Sequence, residues 1–157
     1  MHACTNHKSC IEEAISKADL ICKDKGLRFT ELRRRILEII WAGHGPAKAY
    51  EILDELKGCS ASAKPPTVYR TLDFLLESGL IHRLTSLSAY VGCSHPLRHN
   101  NCYFLICKDC GEIKECCSSE LTNTILDNAD KSKFASGQIT LEIEGKCRDC
   151  GMKSPNK

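Results

Sequence analysis

The 157-residue chain carries 22 Lys and Arg against 20 Asp and Glu, a net charge of +2, with 42% hydrophobic and 27% charged residues. This is the composition of one folded domain or two small ones; it excludes long disorder and provides no global basic field of the kind that announces nucleic acid by itself. No apolar run is long enough for a signal peptide or a membrane span, so the chain is expected in the reducing cytoplasm, where its twelve cysteines point to metal binding rather than to disulfides.

The first half reads as a succession of helices. In "SCIEEAISKADLICKDKG", Ser9 is an expected N-cap, Ile11, Ala14, Ile15, Ala18 and Ile21 form the apolar stripe, and Gly26 is the stop. "TELRRRILEIIWAG" starts at Thr30, with Leu32, Ile36, Leu37, Ile39 and Ile40 on one face and Gly43 at its end. "AKAYEILDELKG" repeats the pattern through Tyr50, Ile52, Leu53 and Leu56. In "KPPTVYRTLDFLLESG" two prolines suit a first turn but not a helix interior. Val68, Leu72, Leu75 and Leu76 recur at helical spacing, which leaves Tyr69, Arg70 and Asp73 off the buried face, and Gly79 closes the helix.

The period then changes to two. "LIHRLTSLSAYVGC" predicts a β-hairpin turning near Ser86 to Ala89. Three helices followed by a hairpin is the layout of a winged helix-turn-helix, with residues 65–78 in the recognition position and 80–93 as the wing. "SHPLRHNNC" is a polar hinge loop. Strands in "YFLIC" and "EIKEC", a helix near 118–131 and a strand in "GQITLEIEG" complete a small α/β module, whose core is too thin to stand without a metal or a second subunit. The fold class is therefore α+β, with a winged-helix domain at 1–93, a hinge at 94–102 and the small α/β module at 103–157.

Two cysteine pairs carry the strongest chemical signal. Cys107-x-x-Cys110 and Cys147-x-x-Cys150 share the spacing that lets two sulfurs converge on one ion, and together they complete a four-sulfur tetrahedral shell. Gly111 and Gly151 follow the two pairs and can take the left-handed backbone that a knuckle needs. A thioredoxin-like pair would be single and would open a helix. Four thiolates leave no open position, so this zinc is expected to hold structure and not to catalyse.

A second set of donors lies around the hairpin and the hinge. If the hairpin is symmetric about Leu87–Ser88, His82 sits directly opposite Cys93, close enough for imidazole and thiolate to share an ion. Glu115 shares a strand face with Ile113 and interrupts a surface that should be buried, so its carboxylate needs a partner. The hinge adds His95, His99 and Cys102. Each residue taken alone also reads as surface or satisfied core; their joint placement favours metal.

"AKPPTVYRTLDFLLESGLIHRL", followed by "ICKDCGEIKE" and a late C-x-x-C, resembles the ferric uptake regulator superfamily, most closely its zinc uptake regulator branch. The resemblance runs from about residue 10 to residue 151. It implies a homodimeric winged-helix repressor with a C-terminal dimerisation domain, a structural zinc at Cys107, Cys110, Cys147 and Cys150, and a regulatory zinc at His82, Cys93 and Glu115, one of each per subunit. His99 is the preferred fourth regulatory ligand, with His95 and Cys102 as alternatives. No histidine follows His99, so the additional His/Asp-rich site of the iron-sensing members is expected to be absent or rebuilt.

The expected function is zinc-dependent repression of zinc uptake genes at a palindromic DNA operator, without enzymatic activity. Tyr69 and Arg70 are the expected major-groove residues, and Lys64, Arg28, Arg33, Arg34 and Arg35 the expected phosphate contacts. From Lys23 to Arg35 six basic residues face two acidic ones, a local net of +4, which reads equally as a solvated helix face. A thiolate with imidazole and carboxylate suits zinc, whereas iron(II) favours nitrogen and oxygen donors. An iron sensor is the runner-up, a redox or peroxide sensor comes third, and a zinc-ribbon interaction protein would leave the helix-turn-helix unused. A zinc hydrolase or deaminase would need an open site, and neither H-x-E nor P-C-x-x-C occurs.

Overall fold

The computed structural model describes residues 7–43, 45–59, 64–137 and 139–152. The chain divides into two compact units, one up to Pro96 and one from Leu97 onward. Cys4 and the side chain of Cys59, for which the sequence offers no role, fall outside the described residues.

In the first unit, helices α1 (His7–Asp24), α2 (Glu31–Ala42), α3 (Ala49–Cys59) and α4 (Pro65–Glu77) precede a hairpin of β1 (Ile81–Leu84) and β2 (Ala89–Gly92). Their apolar stripes converge on one core: Ile15, Ala18 and Cys22 from α1, Ile36, Leu37, Ile39 and Ile40 from α2, Ile52 and Leu56 from α3, and Val68, Leu72 and Leu75 from α4. Each of these Ile, Leu and Val side chains fully removed from water stabilises the unit by about 1.5–3 kcal/mol. Pro65 and Pro66 occupy the first turn of α4, where a missing N–H costs nothing.

Ala47 adds a short third strand element that the periodicity does not reveal. Its N–H donates to the Tyr90 carbonyl and its carbonyl accepts from the Tyr90 N–H, both at 2.8 Å. Gly92 lies flat beneath the Trp41 indole of α2: a β-carbon built on it would stand 2.3 Å from Cε2. Only a glycine lets the hairpin approach α2 this closely.

The second unit opens within a kinked 3-10 segment, Pro96–Asn101, and continues with β3 (Cys102–Cys107), β4 (Ile113–Cys117), α5 (Ser119–Lys131), β5 (Glu142–Gly145) and α6 (Arg148–Met152). The strand order is β4-β3-β5, with β4 antiparallel to β3 and β5 parallel to it. The parallel pairing needs a crossover, which α5 supplies. Its N-cap Ser118 accepts the Leu121 N–H at 3.2 Å. The buried apolar core here is thin, comprising Phe104, Ile106 and Ile113 with Cys107. Leu105 and Ile143, paired across β3 and β5, remain 37% and 45% exposed.

Several expectations from the sequence need correction. The first helix already includes His7, so Ser9 lies inside it and is not its cap. Tyr50 is 59% exposed and does not belong to the apolar stripe of α3. The hairpin register pairs His82 with Val91, not with Cys93, whose N–H instead donates to the Leu80 carbonyl at 3.0 Å. The turn is longer than a symmetric fold about Leu87–Ser88 requires, and Ser88 takes a left-handed φ of 49° within it.

Candidate metal centres and nucleic-acid face

Within the second unit the sulfurs of Cys107, Cys110, Cys147 and Cys150 all lie within 4.8 Å of one another. The first pair caps the turn between β3 and β4, and the second opens α6 just after β5, so the parallel pairing of β3 with β5 brings the two knuckles together. Both turns close alike: the Gly111 N–H donates to the Cys107 carbonyl and the Gly151 N–H to the Cys147 carbonyl, each at 2.9 Å. Gly111 takes the expected left-handed conformation, with φ at 73°. Gly151 does not, because it continues a helical turn inside α6.

The geometry fits a tetrahedral zinc. Zn–S bonds of about 2.3 Å place tetrahedral sulfurs about 3.8 Å apart, and Cys110 Sγ stands 3.7 Å from Cys147 Sγ. The electrostatics agree. Backbone N–H groups of Cys147, Cys110 and Asp109 converge on Cys107 and lower its thiol to about 6, the first of them at 3.2 Å. Cys150 is pushed up to about 12, chiefly by hydrogen bonding to Cys147 and Cys110. The cluster thus accepts one thiolate readily and resists a further one, the behaviour of a site completed by a dication. Two ion pairs that the sequence reading missed flank it, Lys108–Glu144 at 2.5 Å and Lys146–Asp109 at 3.0 Å. Their signal was present in the charged residues set inside and beside each C-x-x-C.

The second donor set divides between the units. In the first unit, His82 on β1 and Cys93 after β2 are both buried, 8% and 3% exposed. A nitrogen of the imidazole and the Cys93 sulfur lie within 4.8 Å of one another. They are diagonal neighbours on one face of the hairpin, displaced two positions from the direct opposition expected. His95 is exposed. In the second unit, His99 is half-buried in the 3-10 segment. Cys102 opens β3, and its sulfur lies within 4.8 Å of a Glu115 carboxylate oxygen on β4. Burial, the Cys117 thiol and the Glu115 carboxylate all push the Cys102 thiol well above its ordinary range.

The expected nucleic-acid residues of the first unit separate into two groups. Tyr69, 53% exposed, and Arg70 project from α4 away from its buried Val68, Thr71, Leu72 and Leu75, and Lys64 stands exposed at its N-cap. The arginine run of α2 is engaged within the unit. Arg33 stacks on the Phe74 ring at 3.3 Å and donates to the Arg28 carbonyl. Arg34 holds Asp19 through both carboxylate oxygens, at 2.7 and 3.0 Å, and Arg35 contacts Glu38 at 3.2 Å. Arg28 itself is exposed.

A family model described as "Ferric uptake regulator family" matches residues 24–144. The chain belongs to the ferric uptake regulator family. Within that family, the zinc uptake regulation protein of Escherichia coli strain K12 is 36% identical over 146 residues, spanning 91% of this chain and 84% of that protein. The zinc uptake regulation protein of Mycobacterium tuberculosis H37Rv is 33% identical over 129 residues, spanning 80% of this chain and 95% of its own length. A solved zinc uptake regulator complexed with zinc and DNA aligns with a TM-score of 0.84 at 34% identity, covering 90% of this chain and 95% of that one. The chain sits in the zinc uptake regulator branch of the ferric uptake regulator family, a family of transcriptional regulators. Among the described residues no helix is long and apolar enough to cross a membrane.

Proposed function

We infer that the protein is a zinc-sensing, DNA-binding transcriptional repressor of zinc uptake and homeostasis genes, which works in the cytoplasm as a homodimer and catalyses no reaction. The observation that carries this reading is the buried imidazole–thiol pair, His82 and Cys93, in the same compact unit that presents Tyr69 and Arg70 from an exposed helix face. A nitrogen and a sulfur donor in a buried site select a borderline-soft ion, and zinc is the tetrahedral choice.

Each subunit has two zinc sites in this reading. Cys107, Cys110, Cys147 and Cys150 hold the structural ion, which staples a module with a thin core. His82, Cys93, His99 and Glu115 hold the regulatory ion. Occupancy of that site selects the DNA-binding conformation. In a dimer this sets the separation of two recognition helices, which must match successive major grooves about 34 Å apart. Leu105 and Ile143, left exposed on the three-stranded sheet, supply apolar area for a second copy of the chain. Lys64 and Arg28 contact phosphates, and Tyr69 and Arg70 reach the base edges of a palindromic operator.

The test is a titration of zinc, iron(II) and manganese(II) into reduced protein that retains its structural zinc, with binding to a palindromic operator measured at fixed salt. Zinc alone is expected to switch binding on. Equal DNA affinity with and without the regulatory ion overturns the reading.

A further inference from the structure

The register of β3 and β4 sets two cysteines outside the zinc knuckles face to face. Cys102 is the direct cross-strand partner of Cys117. The flanking ladder bonds, Ser118 N–H to the Asn101 carbonyl and Cys107 N–H to the Glu112 carbonyl, both 2.9 Å, place the hydrogen-bonded pairs at odd positions of β3. Cys102 and Cys117 therefore form a non-hydrogen-bonded pair, in which α-carbons approach to about 4.5 Å and side chains are nearest. A disulfide requires α-carbons about 4.4–6.8 Å apart. Both residues are half-buried, within reach of a small oxidant. The adjacent Cys116 is excluded as a partner by strand alternation, because it points to the opposite face, against Tyr103.

We propose that Cys102 and Cys117 are a site of reversible thiol oxidation, closing a cross-strand disulfide in the presence of a peroxide. The Cys117 sulfur attacks a peroxide oxygen and becomes a sulfenic acid with release of water. The second sulfur then attacks the first, and a second water leaves. The pair loses two electrons and two protons in total, and hydrogen peroxide is reduced to two waters. The Cys102 thiol that donates to the Arg98 carbonyl at 3.3 Å is consumed in the process. A thiol reductant reopens such a bond by thiol–disulfide exchange. Glu115, which shares the strand face and lies beside Cys102, loses that thiol as a neighbour. On the reading of Glu115 as a regulatory ligand, oxidation shifts the zinc response about tenfold or more, the scale of a lost contact beside a metal ligand.

The experiment treats protein holding its structural zinc with hydrogen peroxide, blocks the remaining thiols by alkylation, and maps disulfides by mass spectrometry. Cys117→Ser and Cys102→Ser serve as controls. The expected result is a Cys102–Cys117 link that disappears with dithiothreitol and is absent from both variants. Recovery of both residues alkylated while other cysteines are oxidised, or a link from either of them to Cys116, overturns the proposal. The map does not depend on any DNA measurement, so a protein that fails to respond to zinc at all defeats the sensing reading and leaves the disulfide to be judged separately. If the link forms and the zinc response of the oxidised wild type stays unchanged, the disulfide stands and its coupling to Glu115 is overturned.

Discussion

Cys110 and Cys147 are 37 positions apart in the chain, and their sulfurs stand 3.7 Å apart in space. The segment between them contains β4, α5 and β5, so whatever bridges these two sulfurs closes a loop around most of the second unit. The parallel ladder of β3 and β5 runs only from Phe104–Glu142 to Cys107–Gly145, and it ends against the knuckles.

Removing the bridge is therefore expected to undo the unit, beyond loosening a surface turn. Cys147→Ser, or a strong chelator applied to the wild type, should release one zinc per subunit and abolish the cooperative melting of the second unit. A structural zinc is worth about 10 kcal/mol or more in small domains, which exceeds the stability of a core this thin. Zinc content, circular dichroism and sedimentation together check this; a folded, dimeric, zinc-free variant would refute it.

The same cluster predicts a pH dependence with a definite sign. Cys107 is lowered to about 6 by the N–H groups of Cys147 and Cys110. In zinc-free protein its ionisation favours the folded state fully above the ordinary thiol range, and that contribution is lost as pH falls through about 6. With zinc bound, protons compete for all four sulfurs, so retention weakens in the same direction. Zinc release to a chromophoric chelator, followed downward from about pH 8, should rise progressively as the pH falls.

Cys93→Ala separates the two metal roles. The variant is expected to remain folded and dimeric with its structural zinc, and to lose zinc-dependent operator binding. Equilibrium dialysis should count one zinc per subunit fewer than in the wild type. An unchanged count with an unchanged switch would remove Cys93 from the site.

The arginines sort by what they touch. Arg70→Ala should weaken operator binding by about 1–3 kcal/mol and leave the melting temperature unchanged. Arg34→Ala breaks the contact with Asp19, an exposed pair worth about 1 kcal/mol or less. Arg33→Ala removes the guanidinium from Phe74 and costs about 0.5–2 kcal/mol of stability. Measuring operator affinity and thermal stability on all three variants distinguishes a base contact from intramolecular packing.

Gly92→Ala tests the close approach of the hairpin to α2. The new methyl group meets the Trp41 ring at 2.3 Å, so either the indole or the strand must move. A cost of about 1–3 kcal/mol is expected from overpacking, readable in a urea melt.

Much of this was legible in the sequence for physical reasons. Helix periodicity in α2 and α4 predicts the buried set of Ile36, Leu37, Ile39, Ile40, Val68, Leu72 and Leu75, because one face of each must leave water. The C-x-x-C spacing predicts the four-sulfur cluster, since both knuckles are local. What depends on distant partners was less legible. The hairpin register was misread by two positions, since the turn at Ser88 is set by backbone conformation and not by the apolar pattern. An even displacement keeps every side chain on its face, which is why His82 and Cys93 remain neighbours although Val91 took the opposed position. The arginine run of α2 reads as a uniform charge block in one dimension; the partners Phe74 and Asp19 come from other helices.

The contact between Trp41 and Gly92 has an optical consequence. The chain has one tryptophan, and its indole lies on the backbone of the residue immediately before Cys93. Its emission therefore originates beside a single candidate metal ligand, undiluted by any other indole. Ion uptake at Cys93 should change the intensity or wavelength of that emission. The native protein thus contains its own fluorophore for following zinc at Cys93, with no label attached.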